Sequence, residues 1–297
     1  MGLSALALVL LLLISPIPGK AGAAEPAPAF QVQGSVEQVY ATELAPGANV
    51  TLYDAQGQVV EAKEADELGG VLFREVTPGN GYRIGVGSGG PESEALTVLT
   101  QRSAPPNTSI YDQSIEPHGY QYLTTRDGTK LAIDVHPPQD VSKLLTGQIP
   151  SPVELPYVPA GPTPTLIEYA GYGYANPAGP ESGISLIANL MGFTVVDVSM
   201  RGTGCSGGAF DFFEPLQNLD GYDVIETIAH QPWVAHHEVG MMGISYGGIS
   251  QLFTAQTRPP DLAAITPLSV IDNTQTTLYP GGILNTGFAL EWAKERV

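Results

Sequence analysis

Cysteine is almost absent. Cys205 stands alone in 297 residues, so no internal disulfide forms and stability must come from a packed core. Cations are scarce too: 12 Lys and Arg face 30 Asp and Glu, a formal net charge of −18. Phosphate recognition needs clustered basic side chains, and this balance excludes nucleic acid as a partner. Beyond the N-terminus no apolar run is long enough to span a bilayer. The last shortage is positional. The five histidines are His118, His136, His230, His236 and His237, and nothing after residue 237 adds another.

The N-terminus holds the one long apolar stretch, Leu3 to Ile14, followed by Pro16, Pro18 and the small residues Ala21 to Ala24. This pattern predicts a signal peptide over residues 1–24 and an exported, secreted or cell-surface protein. No Lys or Arg precedes the run, so a retained membrane anchor stays open as the alternative.

Residues 25–100 alternate short strand-like bursts with turn signals. Phe30–Val36, Asn49–Tyr53, Val71–Val76 and Tyr82–Val86 are separated by Pro46-Gly47, Gly69-Gly70 and Pro78-Gly79. Period-two bursts at this spacing predict a small all-β sandwich. Residues 101–117, with Pro105-Pro106, read as a linker.

From residue 118 to 297 the pattern changes to α/β. Two alternating runs flank Asp127-Gly128, a hairpin signal, and eight prolines crowd residues 137–164, which reads as a loop. Thr165–Tyr169 and Phe193–Ser199 are short buried-strand runs, with Ser185–Met191 between them as a crossover helix. Leu219–His230 predicts another helix and Leu262–Val270 another strand. Alternation of this kind means a sheet built with right-handed crossovers.

The chemistry concentrates at Glu238–Gln256. An apolar run enters Gly243-Ile244-Ser245-Tyr246-Gly247, and a helix-compatible segment follows at once. That is the form of a nucleophile elbow, with Ser245 as the catalytic serine and Gly243 and Gly247 sparing neighbours a collision. The pattern alone does not decide, since Gly204-Cys205-Ser206-Gly207-Gly208 also matches. Context separates them: Ser206 runs into Phe210, Phe212, Phe213 and Pro215, which do not open a helix there. The same run, Gly202, Gly204 and Gly207, fits a dinucleotide fingerprint, but the helix that would face pyrophosphate is missing. No cofactor is assigned. His236 and His237 would point apart on a strand, so no metal is assigned either.

Tyr172 and its neighbours Tyr169 and Tyr174 end the first central strand, where ligands gather in open sheets. One hydroxyl, taken as that of Tyr172, would join the Tyr246 backbone N–H as an oxyanion hole; plain aromatic packing is the alternative.

Several pieces stand together in order: Arg126–Pro137, Tyr172, Val195–Gly204 and Gly240–Gly248. The second region resembles the cocaine-esterase and X-Pro dipeptidyl-peptidase family of α/β-hydrolases. Residues 44–57 and 76–82 resemble carboxypeptidase-regulatory-like modules. The hydrolase resemblance implies acyl transfer from a small peptide or ester substrate to Ser245. It also implies an aspartate and a histidine later in the chain than Ser245. Asp272 is a candidate acid, but no histidine follows, so the sequence is expected to be the N-terminal part of a longer hydrolase, inactive alone. A secreted binding protein on a hydrolase scaffold without chemistry is the alternative.

Overall fold

The structure, a computed structural model, describes residues 30–102, 107–138, 159–177, 182–211, 213–271 and 273–295. The expected signal peptide, the middle of the proline-rich insertion and Asp272 lie outside these residues.

Seven short strands make two antiparallel sheets at the N-terminal end. Strands β1 (Gln31–Gly34), β2 (Val39–Thr42) and β5 (Val71–Phe73) form one, in the order β1-β2-β5. Strands β4 (Val59–Glu64), β3 (Asn49–Tyr53), β6 (Gly79–Val86) and β7 (Leu96–Val98) form the other. Val39, Ala41 and Phe73 from the first sheet share one core with Val50, Leu52 and Ile84 from the second. Alternating side chains thus meet between two sheets, the sandwich the turn spacing predicts.

A six-stranded mixed sheet follows, ordered β13-β12-β10-β11-β9-β8. Its outer hairpin, β8 (Gly119–Thr124) and β9 (Lys130–His136), turns at Asp127-Gly128 as expected. The parallel centre is β10 (Thr163–Ala170), β11 (Thr194–Ser199), β12 (Val234–Ile244) and β13 (Leu262–Leu268). Helix α1 (Gly183–Leu190) joins β10 to β11, and α2 (Pro215–Ala229) carries the chain from β11 across to β12. Helix α3 (Tyr246–Gln256) leaves β12 directly. After β13 come the short helices α4 (Thr274–Leu278) and α5 (Phe288–Glu295). This is an α/β-hydrolase sheet, with β11 to one side of β10 and β12 to the other. The chain therefore reverses direction across the sheet between β10 and β12, and their carboxyl ends flank the crevice where such folds bind ligands. Among the described residues no helix is long and apolar enough to cross a membrane.

Buried polar groups tie the hairpin turn to both regions. Arg201, 2% exposed, sends Nε to Asp220 Oδ2 at 2.6 Å and Nη1 to Asp127 Oδ2 at 3.1 Å. The Ser35 hydroxyl in the sandwich donates to the same Asp127 at 2.6 Å. Burial acts to raise the Asp127 pKa, but Arg201 and the Ser35 hydroxyl outweigh it and hold the carboxyl well below the usual range.

The stretch read as a linker is packed from Thr108 onward. Thr108–Asp112 forms a 3-10 turn, Tyr111 donates to Asp223 at 2.9 Å, and Ile115 joins the hydrolase core. Isolated apolar residues among prolines, serines and glutamines carry no periodicity, which is why composition pointed to a spacer.

Candidate active site

Ser245 stands at the apex between β12 and α3, with φ 56° and ψ −118°. A non-glycine residue held at positive φ stores strain, and the surroundings over-determine this one. The Ser245 N–H donates to Leu268 O at 3.0 Å on the neighbouring strand, and its own carbonyl accepts from Gly248 and Ile249. Ser245 is exposed, while Met241, Met242 and Gly243 before it and Tyr246 to Gln251 after it are buried. The Tyr246 N–H heads α3, one of the first-turn donors that a helix leaves without an intrahelical partner, at the positive end of the helix dipole.

The glycines divide differently from the sequence reading. Gly243 has φ 147°, and a Cβ there would lie 2.7 Å from the Gly247 carbonyl oxygen. At Gly247 a Cβ would meet Ala170 Cβ and Glu168 Oε1 at 3.7 Å, ordinary contact. The expected collision at Gly247 does not occur. It falls instead on Gly248, whose Cβ would lie 2.2 Å from Leu268 O. Residue 248 packs α3 against β13, a contact that the five-letter pattern does not record.

Tyr246 is buried beneath the apex, and its ring stacks on Phe213 with centroids 4.7 Å apart. Its hydroxyl donates to Gln217 Oε1 at 3.1 Å, while Tyr169 donates to the Gln217 carbonyl at 2.8 Å. Gln217 on α2 therefore braces both tyrosines. Burial pushes the Tyr246 phenol upward, which keeps it a neutral donor. Tyr172 follows β10, half-buried, with its ring edge-on to Tyr246 at 5.7 Å. A cavity of about 270 Å³ opens beside Ser245, lined by Phe213, Tyr246, Ile249, Leu278, Phe288 and Trp292 among others. Tyr172 is not among its lining residues, so the structure joins it to the site through Tyr246. A larger hollow of about 450 Å³, bounded by Arg126, Tyr222 and Phe253, contains none of these groups.

The rival serine is structural. Ser206 Oγ donates to Ser199 O at 2.7 Å and accepts from Ala132 N–H at 2.8 Å, stapling a loop to β9 and β11. Cys205 beside it is exposed, and among the described residues the next helix begins only at Pro215, away from the glycine run. None of the five histidines lines the Ser245 cavity. His236 and His237 both take positive φ and kink β12 near its start, and the His237 ring contacts Ala229 O at 3.1 Å. Among the described residues one group gathers metal-ligand types: Glu226, His230 and Asp261, with ligand atoms within 4.8 Å of one another. It lies at the end of α2 and just before β13, the opposite end of the sheet from Ser245.

A model of the X-Pro dipeptidyl-peptidase (S15 family) matches residues 127–297, more than half of the chain. The chain belongs to the S15 family. A Mycobacterium bovis protein named as a candidate serine esterase is 31% identical over 105 residues, which is 35% of this chain and 17% of that one. A CocE/NonD family hydrolase of Staphylococcus aureus is similar at 22% identity and TM-score 0.48, covering 63% of this chain and 37% of that one. A ferulic acid-bound Est1E of Butyrivibrio proteoclasticus gives 19% identity and TM-score 0.41 over 57% of this chain and 59% of that one. The chain thus spans well under two thirds of the length of the curated relatives it matches.

Proposed function

We propose that the protein is an exported serine hydrolase that transfers the acyl group of a peptide or ester to Ser245. One observation carries this reading: an exposed serine in strained geometry at the carboxyl end of β12, with a helix N-terminus directly behind it. Ser245 Oγ attacks the carbonyl carbon as a general base takes its proton; the bond to the amine or alcohol then breaks, the leaving group departs with that proton, and water hydrolyses the acyl-serine to release the acid and restore Ser245. The developing oxyanion takes the Tyr246 N–H and the Tyr172 hydroxyl, donors that act where charge develops. The apolar cavity at Phe213, Leu278 and Trp292 excludes water from one side of the reacting carbonyl. Dipeptides ending in proline and simple esters are both in scope. Export rests on the N-terminal apolar run alone.

A second reading, a binding protein that keeps the scaffold without chemistry, draws support from the cavity, which no histidine lines. The two separate on turnover. Protein isolated from its natural source is assayed against an aryl ester and an X-Pro anilide, with Ser245→Ala as control. The hydrolase reading expects turnover of at least one substrate that the substitution abolishes. Turnover of neither, or activity that survives Ser245→Ala, overturns it.

A further inference from the structure

Beneath the elbow lies a row of buried acids that acyl transfer does not use. Glu168 on β10 and Asp197 on β11 are each fully buried, side by side in the parallel ladder. Ser185 on α1, also fully buried, reaches down between them. Its Oγ lies 2.5 Å from Glu168 Oε2 and 2.7 Å from Asp197 Oδ1. A hydroxyl carries one proton, so it donates to one carboxylate only. The other short contact needs a proton on the carboxyl itself, because two anions cannot both press on one hydroxyl oxygen.

The surroundings decide which acid holds it. Asp197 Oδ2 faces His136 Nε2 at 3.3 Å, and His136 in turn stands 3.8 Å from Asp134 Oδ2. Burial acts to lower the His136 pKa, yet the two aspartates outweigh it and hold the ring above the ordinary histidine value. Asp197 therefore has the His136 ring as its ionic partner. Among the described residues no basic side chain pairs with Glu168. The hydroxyls of Ser185 and of Ser182, the cap of α1, approach it, Asp197 acts on it from β11, and the Gly247 backbone lies on its α3 side. Its Oε1 makes no hydrogen bond among the described residues and would lie 3.7 Å from a Cβ on Gly247, in the first turn of the elbow helix.

The geometry points to a protonated Glu168 that donates to Ser185, which donates to Asp197, so that the acid beside the first turn of the elbow helix carries no charge. Glu168 is then a positioning residue, a role that rests on Ser245 being the nucleophile. An anion at this place would sit against the first turn of α3 and cancel part of the positive field that the helix offers an oxyanion. Protonation leaves that field to the substrate. Burial raises the glutamate's pKa against the two serine hydroxyls, in the same direction as the geometry requires.

Infrared difference spectroscopy of the purified protein against Glu168→Gln reads the proton without any need for activity. The expected result is the carbonyl stretch of a buried protonated acid near neutral pH, lost in the variant. An amide copies the neutral acid and keeps a donor toward Ser185, so E168Q is expected to fold. A difference spectrum without that band, or an E168Q protein that does not fold, overturns the proposal. The link to the elbow is read from the amide resonances of Tyr246, Gly247 and Gly248 as pH rises. In the wild type they shift as Glu168 ionises, and in E168Q the shift is gone. Identical titrations in the two proteins overturn the positioning role. Failure of Ser245 to turn over substrate would leave both readouts intact, so the two ideas fail separately.

Discussion

Gly243 and Gly247 meet at the base of the elbow, where a Cβ on Gly243 would stand 2.7 Å from the Gly247 carbonyl oxygen. The contact is with backbone, which cannot swing aside, and Gly243 also takes φ 147°, a region that only glycine enters readily. Gly243→Ala is expected to cost on the order of 3 kcal/mol in denaturant unfolding. Gly247→Ala, facing open contact at 3.7 Å, is expected to cost roughly 1 kcal/mol or less. Equal losses at the two positions would contradict this account of the turn.

Gln251 holds the elbow from behind. Fully buried, it donates through Nε2 to Gly247 O at 2.7 Å and accepts the Thr266 N–H of β13 at 2.9 Å. Gln251→Met keeps the volume and leaves the Thr266 N–H without its partner, a loss of about 2 kcal/mol by thermal or denaturant unfolding.

Tyr172→Phe tests the oxyanion role separately from packing. The ring contacts with Tyr246 and Tyr174 survive and only the hydroxyl goes. Loss of a transition-state donor lowers kcat by about 100-fold or more with KM little changed. A variant with unchanged kcat would return Tyr172 to simple aromatic packing.

The Arg201 pair gives the protein an acid limb. Asp127 has a folded pKa below its unfolded value, so its contribution is present above the unfolded carboxylate range near 4 and is lost as pH falls toward the folded value. Asp127→Asn leaves Arg201 with one carboxylate instead of two and is expected to cost about 3 kcal/mol at neutral pH. The difference from wild type should narrow below about pH 4, measured by urea unfolding across the pH range.

The sequence carried the elbow because strand, turn and helix signals agree around Ser245, whereas around Ser206 they do not. The hairpin at Asp127-Gly128 and the strands at 165–169 and 193–199 were legible for the same reason: short apolar runs bounded by turn residues. Strand β4 was not, because Val59–Glu64 lies at a sheet edge and its side chains are mostly exposed, so it lacks an apolar face. Helix α2 begins four residues before the expected start, and Pro215 at its first turn was the available signal. Glu168 was hidden by its setting, a single acid inside an apolar strand run. Its meaning comes from Asp197, which the parallel register sets beside it, and from Ser185, which the packing of α1 brings between them.

The claim at the centre is that Ser245 is the nucleophile. Protein from the natural source is treated with a fluorophosphonate, digested, and its peptides are mapped by mass spectrometry. The account predicts one adduct, on the peptide that contains Ser245, and none after Ser245→Ala. An adduct on Ser206 or another serine, or no adduct at all in active protein, would contradict it.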